Sequence, residues 1–67
     1  MKSVLYITSS QLIEVYCAFL VEVKNDVNRL RSGDFVWVKD IKYDKQGSLI
    51  FVVNNELYYA KHFEVVL

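Results

Sequence analysis

Turn chemistry falls at few places in this chain, and those places cut its second half into strand-length pieces. There is no proline, and the two glycines stand at Gly33 and Gly47. Asp44-Lys45-Gln46-Gly47 supplies an aspartate to open a turn and a glycine to close it in the left-handed conformation. Further on comes Asn54-Asn55. Asparagine is among the few non-glycine residues that tolerate positive φ, which a two-residue hairpin turn requires. Around these turns the residues are β-branched and aromatic, as in Phe35-Val36-Trp37-Val38 within residues 34–43. Strands follow at 48–53, at 56–60, and at 63–67 after the polar pair Lys61-His62. The pattern predicts a meander of antiparallel strands.

Residues 8–24 admit two readings. As a strand, Ile13, Val15, Cys17, Phe19, Val21 and Val23 share one face at period two. As a short helix, Gln11, Glu14, Ala18, Glu22 and Asn25 form a polar stripe, and Thr8-Ser9-Ser10-Gln11 resembles a capping box. Phe19 to Val23 is strongly β-favouring, so 19–24 is expected as strand while 9–17 stays open.

The turns also decide which side chains share a face. A two-residue turn at Asn54-Asn55 pairs Val53 with Glu56, Val52 with Leu57 and Phe51 with Tyr58. A four-residue loop at 44–47 pairs Tyr43 with Ser48 and Ile41 with Ile50. One face then holds Val36, Val38, Leu49, Phe51, Val53 and Tyr58, with Asp40 and Lys42 toward one end. The other holds Phe35, Trp37, Ile41, Tyr43, Ile50, Val52, Leu57 and Tyr59, with Lys39 among them. A bulge at Gly47 would shift this register by one and turn one strand over. Antiparallel sheets ordinarily bury one face and wet the other. Here both are apolar, so the second face needs a cover.

Composition points the same way. Of 67 residues, 54% are hydrophobic, against about 45–50% in ordinary domains even with glycine counted. So short a chain makes one domain with one small core. Its excess apolar content suits a surface covered by a partner or a second copy, and a homodimer is expected. Eight basic and eight acidic residues cancel, and Asp26 and Asp34 flank Arg29 and Arg31. Without a basic stripe, phosphate neutralisation is weak, so nucleic acid is not the expected partner. Cys17 is the one cysteine. It has no disulfide partner and no zinc-ligand spacing around it, and a lone thiol fits a reducing cytoplasm. The longest apolar stretch, 15–21, is far short of the ~20 residues that span a membrane. The N-terminus lacks a signal-peptide cleavage site. A soluble, cytoplasmic protein is expected.

With the strands placed, a resemblance emerges. Phe19-Leu20-Val21-Glu22-Val23, the polar excursion 24–32, Gly33-Asp34, the meander, and Tyr58-Tyr59-Ala60-Lys61-His62-Phe63-Glu64-Val65-Val66 together look like an SH3-like barrel. The chain also resembles small SH3-like proteins encoded by bacteriophages and related mobile elements. Many of those end in an aromatic pair, a turn and a Phe-Glu-Val-Val-like strand. The resemblance covers 19–67 and leaves 1–18 as an extension, a candidate lid for the exposed apolar face. It implies that Val36, Val38 and Phe63 point into the core and that the Trp37 face lies outside. It departs from the SH3 domains that grip proline-rich peptides. The loop 25–32 has no aromatic residue, Trp37 stands in a different strand, and the groove proline is missing. Proline-peptide binding is therefore not expected.

No catalytic constellation is visible. His62 is the one histidine, and nothing pairs it with Cys17 or a serine. No ligand pair has metal spacing and no glycine-rich loop cradles phosphate, so neither cofactor nor metal is expected. The aromatics carry what signal there is, because Trp and Tyr bury large area while keeping a polar handle. Trp37 and Tyr59 are the candidate contacts, with Lys39 and Tyr43 at their rim. The expected function is a protein-binding module rather than an enzyme. The phage-like resemblance implies an inhibitor or modulator that occupies a surface of a host protein in the host cytoplasm. The alternatives are a nucleic-acid-binding barrel that uses aromatics as stacking platforms, and a structural or assembly subunit.

Overall fold

The structure, a computed structural model, describes residues 2–67. Burial alternates along the chain with the period of two that a strand imposes. Phe19, Val21 and Val23 are buried while Glu22 between them is exposed. Eight strands follow in order: β1 (Ser3–Ile7), β2 (Leu12–Tyr16), β3 (Phe19–Val23), β4 (Phe35–Val38), β5 (Asp40–Tyr43), β6 (Leu49–Val53), β7 (Glu56–Tyr59) and β8 (Phe63–Val65). A 3₁₀ turn, Ala60–His62, joins the last two. The protein is mainly β and antiparallel. Its strands form three separate sheets, β1-β2, β4-β3-β8 and β5-β6-β7, and do not close into a barrel.

The Asn54-Asn55 turn is as its chemistry demands. Both residues hold positive φ, 52° and 64°, and the pairing runs Val53 with Glu56, Val52 with Leu57 and Phe51 with Tyr58. The turn before it corrects the expected register. Asp44 N–H donates to Ser48 O, and Gly47 N–H donates to Asp44 O, both at 3.0 Å. That is a three-residue loop with Gly47 left-handed at φ 85°, a form in which a bulge closes the turn. Tyr43 therefore pairs with Leu49, and Ile41 with Phe51. A second irregularity lies at Lys39. Its N–H donates to Val52 O at 2.9 Å, while Asp40 is the register partner of Val52. Two residues oppose one there, so the strand bends and its alternation restarts. Ile41, expected outside, is consequently buried at 2% exposure. Asp40 and Lys42, expected on the core face, turn outward.

Residues 8–11 resolve the ambiguity of the N-terminal segment. Thr8 Oγ1 accepts the N–H groups of Ser10 and Gln11, which is what a cap residue would do. Here the motif closes a hairpin, because Thr8 N–H also donates to Gln11 O. Ile13, Val15 and Cys17 continue the inward face into Phe19, as the strand reading requires.

The core is one cluster. Val21, Val23, Val38 and Val53 are fully enclosed. The Phe51 ring meets Phe19 edge-on at 5.4 Å and Phe63 at 5.8 Å, and Tyr58 meets Phe63 edge-on at 5.9 Å. Val38 and Phe63 are buried, and Val36 packs against the cluster, as the resemblance implied. The long loop 24–34 is pinned by Leu30, which is buried and exchanges two main-chain bonds with Val27.

The β1-β2 hairpin covers the open side of this core. Val4, Tyr6, Val15 and Cys17 pack against it, and Val4 and Tyr6 share a cleft with Leu49, Phe51, Phe63 and Val65. Lys2 Nζ donates to Ile41 O at 2.9 Å and pairs with Asp40 at 3.5 Å. The Tyr6 hydroxyl donates to the Glu64 carboxylate. The extension is therefore a lid over Phe51 and Phe63. It leaves the Trp37 face bare, and so is not the lid of that face for which it was a candidate.

Candidate protein-binding surface

Outward side chains of the sheet β4-β3-β8 come from the alternation that buries Phe19, Val21, Val23, Val38, Phe63 and Val65. Leu20 opposes Trp37, and Glu22 opposes both Phe35 and Glu64. Phe35 is 60% exposed and Trp37 54%. Leu20, opposite Trp37, is half-buried.

The second sheet presents a different outer face. Val52 stands between Asp40 and Leu57, and Ile50 between Lys42 and Tyr59. Tyr59 donates its hydroxyl to Asp44 at 3.3 Å, and an open groove beside it is lined by Ser48, Leu49, Ala60 and Lys61. The other Asp44 oxygen accepts the N–H groups of Gln46 and Ser48.

The four candidate contacts do not form one patch. Trp37 belongs to the first sheet and Tyr59 to the second. Lys39 is exposed in the bulge between them, two residues from Trp37. Tyr43, expected beside Trp37 and Tyr59, shares its register position with inward-facing Leu49 and is exposed at the end of β5. The residues the sequence did not single out are Leu20, Glu22 and Glu64. Alternation within β3 places the first two outward. The meeting of Glu22 with Glu64 depends on how β8 pairs back to β3, which no local pattern encodes.

Charged groups elsewhere serve the scaffold. The Ile41 N–H chiefly holds the Asp40 carboxyl below its ordinary range, against the opposing effect of burial and with lesser help from Lys2 and Lys42. Hydrogen bonds from Ser3 and then Tyr16 lower Glu14. Burial, reinforced by Asp40, pushes the Cys17 thiol up, so it is held as the less nucleophilic protonated form. Burial and then Glu56 raise Tyr58. His62 Nδ1 lies 3.1 Å from the Asn25 amide nitrogen. Among the described residues no three His, Cys, Asp or Glu side chains converge as metal ligands would. No helix there is long and apolar enough to cross a membrane.

No protein-family model, no curated protein and no solved structure matches the chain.

Proposed function

We propose that this chain is a small protein-binding module that acts by occupying a surface on another protein. The observation that carries this reading is the bare outer face of β4-β3-β8, where Phe35 and Trp37 stand more than half exposed beside Leu20. Large aromatics left in water on a rigid sheet cost burial that a partner would supply, and such residues dominate binding energy at interfaces.

An SH3-like architecture is part of the proposal. Its support is the order of elements: a first strand, a long loop, a bent strand, two hairpins, a 3₁₀ turn and a last strand that pairs with the first. The likeness to small phage-encoded proteins suggests the specific version, an inhibitor or modulator of a host protein acting in the cytoplasm. Binding rather than catalysis also suits His62, whose neighbour is Asn25 and not a nucleophile.

The test compares proteins retained from a bacterial lysate by the unaltered chain and by Trp37→Asp, after circular dichroism shows that both fold. Proteins held at stoichiometric level by the first and lost from the second support the reading. An identical retained set overturns it.

A further inference from the structure

Six outward side chains on the first sheet fall into two rows. One row reads Phe35, Glu22, Glu64 across β4, β3 and β8. The next reads Trp37, Leu20, Val66, because Val66 N–H donates to Leu20 O at 3.0 Å and extends the pairing past the end of β8. Neighbours within a row have Cβ atoms about 4.5–5.5 Å apart. The rows are separated by two residues of strand, about 6.6 Å.

The first row holds an electrostatic conflict. Like charges directly opposite on neighbouring strands destabilise a sheet, and Glu22 sits directly opposite Glu64. Among the described residues neither carboxylate has a cationic partner, the one ion pair being Lys2–Asp40. Among the same residues Glu64 accepts only the neutral Tyr6 hydroxyl. A bound cation would relieve this repulsion, and the aromatic Phe35 beside Glu22 adds a face that attracts cations.

We infer that this face docks an extended segment of a partner protein carrying a basic residue and, two positions away, a large apolar one. The inference rests on the protein-binding reading and gives the partner its chemistry. In an extended segment, side chains two apart point the same way with the spacing of the two rows. The basic group meets Glu22 and Glu64 while the apolar group covers Trp37, Leu20 and Val66. Arginine suits the first row better than lysine, because its planar fork spans two carboxylates and stacks on a ring. A second copy of this chain is the poorer occupant. Two-fold packing on this face sets carboxylates against carboxylates, or buries them against Leu20 and Val66, and both are costly.

The test titrates the isotopically labelled full chain with a capped Ser-Arg-Thr-Leu-Ser peptide, read by amide chemical shifts. The expected result is shifts confined to residues 20–22, 35–37 and 64–66, half-saturating at about 1 mM or below, an affinity of about 4 kcal/mol. Replacing arginine by citrulline, or using the Glu22→Gln/Glu64→Gln chain, weakens binding at least about tenfold. The double variant removes a surface repulsion and leaves the core intact, and a thermal melt checks that it folds. No shifts at several millimolar, equal binding of the citrulline peptide, or shifts on the β1-β2 hairpin instead would each overturn the inference. So would a dimer in sedimentation that Trp37→Asp dissociates, since the second copy would then be the occupant. If the peptide fails while Trp37→Asp still loses its lysate proteins, the basic-segment inference falls and the protein-binding reading stands. If both fail, both fall.

Discussion

Glu22 and Phe51 show how differently an outward and an inward residue bear on this protein. Glu22 faces out against Glu64, so reversing its charge converts a repulsion into an attraction. Glu22→Lys is expected to raise the chemical-denaturation midpoint and abolish binding of the arginine peptide. A lower midpoint would show that the two carboxylates do not repel. Phe51 touches Phe19 and Phe63 at the centre of the core. Phe51→Ala removes that ring and costs about 3–5 kcal/mol. The whole net stability of so small a domain is about the same. The variant should therefore melt without a cooperative transition, whereas a sharp melt would mean that the site collapses around the gap. Cys17 offers a milder test. Its raised thiol should react with iodoacetamide more slowly at pH 8 in the folded chain than in urea.

At the scale of elements, legibility followed locality. Asn54-Asn55 carries its own geometry, so the β6-β7 hairpin was readable from the sequence. Asn55→Gly should keep or raise stability there, while Asn55→Val should lower it by about 1–2 kcal/mol, the cost of a left-handed side-chain residue, measured by urea unfolding. Ile41 was misread because two one-residue irregularities, at Lys39 and at the Gly47 loop, each turn a strand over. A fixed period of two cannot see either. The outward position of Glu22 could be read from β3 alone, but its opposition to Glu64 comes from strands distant in sequence. The hairpin was missed for a subtler reason. Thr8 binds the same N–H groups whether it caps a helix or closes a turn, and only tertiary packing of Val4 and Val15 decides.

The hairpin also brings a pH dependence. Asp40 is held below its ordinary value of 3.8 and Glu14 below 4.5. A depressed carboxyl contributes stability that is fully present above its unfolded value and lost as pH falls through its folded one. The contribution should therefore be constant at neutral pH and fade below about 4. Asp40→Asn should lower stability at pH 7 and flatten that acid limb, as followed by unfolding at stepped pH. An unchanged acid limb would mean that neither the Ile41 N–H nor Lys2 favours the ionised Asp40.

For the whole molecule, apolar side chains remain in water on three surfaces, the outer face of β5-β6-β7 with Leu57 and Tyr59 and two others. One is the Trp37 face and the other the outside of the hairpin, where Leu5, Ile7, Leu12 and Tyr16 are exposed. If the acidic row keeps copies apart on the Trp37 face, Trp37→Asp should leave the sedimenting mass unchanged at micromolar concentration. A fall from twice the chain mass to once would return the face to self-association. The placing of β1 and β2 carries a further consequence for how the chain is made. They precede everything they rest on, since Tyr6 reaches Glu64 and Val4 lines the cleft with Phe63 and Val65. A nascent chain would hold Val4, Tyr6 and Val15 without cover until β8 had been synthesised. Closing contacts between such distant segments is slow, and uncovered strand edges invite pairing with other chains meanwhile. Folding of the hairpin onto the core therefore waits on the last strand of the chain.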